Sequence, residues 1–367
     1  MTKMKDQVTP GQLVFLVIQT QIGVGLLGLT TEVHSLAKGD AWISVILAGI
    51  ISQLFIILMW YLSSRFPSFS FYDMLPNLFG KPIGTIIHVL YTIYFILVSS
   101  FIIVRFSRIA QDWVLIDTPR WIVMGMMSAV CLYLIRESLR TIARFFVIVF
   151  FCNIAVIIIA AYAYLHVNFL YILPIGHSGI ESIAKGTNGA MTSFAGFEIL
   201  MITFPFVGGS SKEKLKAASF ANFFTTLLYT FAVFTSLVVF SPSELALLPQ
   251  PLLYMVKALS FSIFERPDLY FLSLWAVVAV TSLMGYSFMA SRGIANLFQA
   301  GSNHRKAAFY TVLLIFVLGL IFQNLRLIYF LERVLSIMNY LIVFIIPFML
   351  FLVSILFNKK EVKGSTG

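Results

Sequence analysis

Ten runs of predominantly apolar residues, most of them near the length of a membrane-spanning helix, constrain this 367-residue chain more than any other feature. They fall at 11–36, 41–63, 83–110, 120–136, 141–165, 187–207, 216–240, 269–295, 307–323 and 328–357. About 20 apolar residues cross the roughly 30 Å of hydrocarbon in a bilayer. Inside that layer every backbone N–H and C=O needs a protein partner, which leaves helices and closed barrels as the spanning structures. Runs this long read as helices. The chain is therefore expected to be an all-α integral membrane protein with ten transmembrane helices, forming a single domain over 1–367. Composition agrees, with 60% hydrophobic and 11% charged residues, where soluble domains have about 25% charged.

The net charge of +10 would suggest nucleic acid in a soluble chain. Here its distribution explains it. With the N-terminus in the cytoplasm, sixteen of the 25 basic residues fall on the inner side, among them Arg65, Arg136, Arg140, Lys212, Lys359 and Lys360. That bias follows the positive-inside rule and places both termini in the cytoplasm. No nucleic-acid partner is expected. Lys3 and Lys5 precede an apolar run without a small-residue cleavage site, so the start reads as a retained first span. The polar tail 358–367 reads as disordered.

Gly23-Val24-Gly25 lies within the first run, at the depth where hydrocarbon tolerates a broken helix least. Freed backbone groups cost several kcal/mol there unless they face a ligand or cavity. The unwound turn would present N–H groups at the positive end of the following half-helix, a seat for a carboxylate. Two longer connections, 66–80 and 252–264, read as interfacial helices and stand five spans apart on opposite sides. That is the pattern of a five-plus-five inverted repeat, with halves at about 11–165 and 187–357. The same offset pairs the first run with the sixth, where Thr192-Ser193-Phe194-Ala195-Gly196-Phe197-Glu198 supplies small residues and a membrane-embedded acid. Helices 1 and 6 are thus both expected to be broken. Carbonyls freed near Ser193–Ala195 would accept from an ammonium, and Glu198 would pair with a cation, carry a proton or pin the break.

Tyr91, Tyr94 and Val98 share one helix face in the third run. Thr281, Ser282, Tyr286 and Ser287 offer hydroxyls in the eighth. Arg105 and Arg108 read as solvated side chains that snorkel or pair with Asp112. Cys131 and Cys152 read as core residues without a disulfide. The five His lack ligand spacing, so no metal is expected. Gly208-Gly209-Ser210-Ser211-Lys212 lacks phosphate-loop spacing and reads as a basic loop capping the next helix. No nucleophile motif or carboxylate pair points to an enzyme, and no cofactor is implied.

The ten spans, Gly23-Val24-Gly25-Leu26-Leu27, Asp40-Ala41-Trp42 and Gly196-Phe197-Glu198 together resemble the spore germination permeases, the B subunits of germinant receptors. The resemblance covers essentially the whole chain. It implies the broken-helix fold of the amino acid–polyamine–organocation superfamily, residence in the spore inner membrane, and assembly with receptor A and C subunits. It also implies binding of a small amino acid germinant. The superfamily's substrate turn maps onto Ile22, Gly23, Val24, Gly25 and Leu26, and its facing turn onto Ser193, Phe194, Ala195, Gly196, Phe197 and Glu198. Tyr94, Val98 and Ser282 complete the expected site. Thr30 and Thr31 stand where the family usually carries a Pro and a basic residue. Proton-coupled relatives use a Lys in the fifth span, and this one has none between 141 and 165. Ligand sensing is thus favoured over an active secondary amino-acid/proton transporter with Glu198 as the carrier. A purely structural channel partner is the third alternative.

Overall fold

Apolar side chains on every face of a helix leave its backbone no choice but to bond to itself, and the described residues are helical accordingly. The computed structural model describes residues 7–259, 265–298 and 304–361. In chain order the helices are α1 Pro10–Gln21, α2 Gly25–Ala37, α3 Ala41–Arg65, α4 Phe71–Phe79, α5 Lys81–Trp113, α6 Arg120–Ile135, α7 Leu139–Ala161 and α8 Gly179–Phe194. They continue as α9 Ile199–Thr203, α10 Ser211–Val239, α11 Pro242–Leu245, α12 Pro251–Ala258, α13 Pro267–Leu297, α14 His304–Ile321, α15 Leu325–Asn339 and α16 Ile346–Leu356. Among the described residues, eight helical segments are long and apolar enough to cross a bilayer, and the protein is a multi-pass membrane protein. α1 has 12 residues and α6 has 16, so neither reaches that length alone.

Large apolar side chains such as Leu54, Ile86, Ile148 and Phe151 point outward. The interior adds small and hydroxyl residues to its apolar side chains. Gly49 lies against Thr226, and Gly285 against Thr20, so closely that a Cβ would clash. Small residues let helix backbones approach where lipid supplies no hydrophobic drive between helices. Ser99, Ser100, Thr225 and Ser287 lie in the core. Ser99 satisfies its hydroxyl by donating to Phe95 O one turn back, at 2.8 Å. α5 packs along α13, α3 along α10, and α8 against both α2 and α3.

Thr9 caps α1 in a box with Gln12. Beside it, Val8 N–H donates to Phe206 O at 3.0 Å and Gly208 N–H to Val8 O at 2.9 Å, tying the chain's start to the segment after α9. Ser210 caps α10 as expected, in a box with Glu213. Cys131 and Cys152 are both free.

Several elements differ from the sequence reading. α4 is amphipathic, with Asp73, Pro76 and Asn77 exposed. Its Phe71, Tyr72, Met74, Leu75 and Leu78 are buried, and the Tyr72 hydroxyl donates to Met289 O on α13 at 2.8 Å. Segment 252–264 likewise gives α12, buried through Leu252, Leu253, Met255 and Val256; its residues 260–264 lie outside the described residues. Asp40 is buried, 1% exposed. Its carboxylate accepts the N–H groups of Gly176 at 2.7 Å and Ser178 at 3.0 Å, fastening the α2–α3 turn to the entry of α8. The start of the tail is held, because Arg65 Nε donates to Lys359 O at 3.1 Å and Glu361 N–H to Arg65 O at 3.0 Å. Lys3, Lys5 and the tail from 362 onward lie outside the described residues. Between α15 and α16 the helix widens into a π-helical stretch, Tyr340–Ile345, which no sequence signal announced.

Candidate functional site

Two helix breaks meet at the centre of the molecule. α1 stops at Gln21, where Ile22 turns extended at φ −80° and ψ 108°, and α2 restarts at Gly25. α8 stops at Phe194, where Ala195 is extended at φ −56° and ψ 153°, and α9 restarts at Ile199. Gly196 between them has φ +121°, a conformation that favours glycine. A Cβ on Gly196 would lie 2.8 Å from the backbone of Thr20 and Gln21, so the two breaks touch main chain to main chain.

Several of the freed backbone groups find side-chain partners. Gln21 Nε2 donates to Phe194 O at 2.9 Å. The Tyr229 hydroxyl, from α10, is shared between Gln21 O at 2.8 Å and Ser193 O at 3.1 Å. Ser282 Oγ, from α13, donates to Thr20 O at 3.1 Å. Glu198 is fully buried, and its Oε2 accepts the Gly196 N–H at 2.7 Å. Its other oxygen, Oε1, has no hydrogen-bond partner among the described residues. This carboxylate pins the second break. Two of the carbonyls expected to receive an ammonium, Ser193 O and Phe194 O, already carry a donor.

The N–H groups of Gly23, Val24 and Gly25 have no acceptor among the described residues, and neither have those of Ala195 and Phe197 at the second break. The first three stand at the N-terminus of α2, where the helix dipole is positive. The glycines serve close approach here, not an unusual backbone. A Cβ on Gly23 would come within 2.5 Å of Ser282 Oγ, and one on Gly25 within 3.0 Å of Ser193 Oγ.

These residues open onto a cavity of about 740 Å³. Gly23, Val24, Gly25, Tyr94, Val98, Ser193, Ala195 and Ser282 line it, as the sequence reading placed them together. Ile22, Leu26, Phe194, Gly196, Phe197 and Glu198 do not. All but Gly196 are at most 3% exposed and form the wall behind it, while Gly196 is packed on the backbone of Thr20 and Gln21. The cavity continues past Glu32 and Arg105 to Glu332 and Tyr329 near the start of α15. Arg105 therefore faces the cavity, while Arg108 pairs with Asp112 at 3.8 Å. Among the lining residues not expected from the sequence are Arg105, which reads there as solvated, Glu32 and Asn339. The first two carried a signal, since Gly25, Gly28 and Glu32 recur at helical spacing on α2, as Tyr94, Val98 and Arg105 do on α5.

Beside the first break, neutral groups satisfy one another. Gln19 Oε1 accepts from Thr281 Oγ1 at 3.1 Å and Asn153 Nδ2 at 3.2 Å, linking α1, α13 and α7. Among the described residues no cluster of His, Cys, Asp and Glu is arranged to hold a metal ion.

A family model described as spore germination protein, Spore_permease, matches residues 7–328. The chain is 29% identical over 322 residues to the spore germination protein GerQB of Bacillus cereus, with 87% of each chain covered. It is 25% identical over 300 residues to the spore germination protein YndE of Bacillus subtilis (strain 168), covering 80% of this chain and 82% of that one. Its structure is similar to that of MhsT, solved in complex with L-phenylalanine, with a TM-score of 0.74 at 14% identity, over 97% of this chain and 90% of that one. At that identity the likeness speaks to the fold, which is of the transporter type.

Proposed function

The chain belongs to the Spore_permease family, and on that premise we propose that it is the germinant-sensing, permease-like subunit of a spore germinant receptor. A small amino acid binds in the central cavity and thereby triggers germination. The observation that carries this reading is that Gly23, Val24 and Gly25 line the cavity at a helix N-terminus and that their N–H groups have no acceptor among the described residues. A ligand carboxylate completes them, at the depth where an unmatched backbone group is most costly.

In this reading the chain has ten spans in a five-plus-five inverted repeat. α1/α2, α3, α5, α6 and α7 form the first half, and α8/α9, α10, α13, α14 and α15/α16 the second. The broken helices and the helices α4 and α12 stand in matching places of the two halves, which supports the assignment. Both termini face the cytoplasm, the membrane is the spore inner membrane, and the partners are the receptor's A and C subunits. The cavity opens outward, by way of Glu32 and Arg105. The ligand must bind one arrangement of the broken helices better than another, since only a differential affinity shifts a conformational equilibrium.

The neutral Gln19–Asn153–Thr281 network and the pinned, fully buried Glu198 favour sensing over ion-driven pumping. Calorimetric titration of the purified chain with L-alanine and L-asparagine, alongside uptake by proteoliposomes, tests the assignment. Saturable binding that is lost in Gly23→Leu, without concentrative uptake under a proton gradient, is the expected result. Accumulation of labelled amino acid by this chain alone would make it an active transporter. Unchanged binding in a normally inserted Gly23→Leu protein would move the site elsewhere.

A further inference from the structure

Asn339 closes α15 where the helix widens into the π-helical stretch, and it lines the central cavity while only 3% exposed. α5 fixes it from two sides. The Tyr94 hydroxyl donates to its Oδ1 at 2.9 Å, and the Tyr91 hydroxyl donates to Ile342 O in the π stretch at 2.6 Å. Oδ1 is the amide atom turned toward Tyr94. The amide's Nδ2 is then a buried donor with no acceptor among the described residues. Buried donors in native proteins almost always have partners, so an exception on a cavity wall calls for an occupant.

We propose that Asn339 is a ligand-contacting, specificity-determining residue whose amide N–H takes up an acceptor oxygen on the ligand's side chain. The inference rests on the amino-acid reading of the same cavity and narrows it. The carboxylate is held at Gly23–Gly25, and the side chain ends in a hydroxyl or carboxamide that meets Asn339 across a space of about 740 Å³. An apolar side chain of equal size leaves the amide unmatched, and a site built around a hydrogen bond rejects such a ligand far more strongly than it rejects a missing methylene.

The test is calorimetric titration of the full chain in nanodiscs with L-asparagine and L-leucine, which have similar size. The wild type is expected to prefer asparagine by about tenfold or more, the worth of one well-made buried hydrogen bond. Asn339→Asp keeps an acceptor for Tyr94 and removes the donor, so the preference should fall toward parity. Tyr94→Phe frees the amide to turn and should reduce it in part. A preference that survives Asn339→Asp unchanged, or no preference or no binding in the wild type, overturns the proposal. Gly23→Leu separates the two claims. It should abolish both ligands together, and normal binding there would reject the carboxylate seat while the asparagine-to-leucine ratio still reports on Asn339.

Discussion

Glu198 sits at the second helix break as an acid that either moves a proton or holds a backbone, and these roles demand different chemistry. Its Oε2 accepts the Gly196 N–H at 2.7 Å, a task that a neutral amide oxygen also performs. Glu198→Gln is therefore expected to melt within about 1 kcal/mol of the wild type and to keep ligand binding, while Glu198→Ala leaves the N–H unmatched and loses about 1–3 kcal/mol. Thermal melting and titration of the two variants check this. Loss of ligand response in Glu198→Gln with intact folding would restore the proton-carrier role. The glycines show what sequence conveys at this scale and what it conceals. Gly23, Gly25 and Gly196 were legible as break points because they lie at mid-depth in the two runs that the repeat offset pairs. Their reasons were not legible. Gly196 alone needs φ +121°, whereas Gly23 and Gly25 make room for Ser282 and Ser193 from helices far away in sequence.

Among elements, the α2–α3 turn and the entry of α8 are fastened by one side chain. Asp40 accepts two backbone N–H groups while nearly fully buried, and it holds α2 and α8, the two helices that flank the breaks. Asp40→Ala is expected to lower stability by about 2–4 kcal/mol, with Asp40→Asn recovering part of the loss. Chemical or thermal denaturation in detergent measures it, and an Ala variant as stable as the wild type would remove this fastening from the account. Spans were readable from length and apolarity alone because hydrocarbon dictates helices. α4 and α12 were readable as helices, but the partners of their apolar faces were not, since these depend on which helix lies opposite. The π-helical stretch at Tyr340–Ile345 depends on Tyr91, about 250 residues earlier in the chain. No local pattern encodes such a pairing, and Asn339 was missed for the same reason.

For the whole molecule, the account requires one cavity reached from the outer side and ending at the two breaks. Ser336 lines it on α15. Ser336→Cys should react with a membrane-impermeant thiol reagent added outside and not with the same reagent added inside. Native Cys131 is buried and Cys152 half-buried, so both contribute little background. Labelling only from the inner side would reverse the orientation. The central claim is that the backbone N–H groups of Gly23, Val24 and Gly25 hold a ligand carboxylate. Its most direct measurement is calorimetric titration of the wild-type chain with L-asparagine and with its α-carboxamide analogue, which differ only at the carboxylate. The account predicts that the amide binds at least about tenfold more weakly, because charge-assisted hydrogen bonds are about twice as strong as neutral ones. Equal affinity for the two would contradict it.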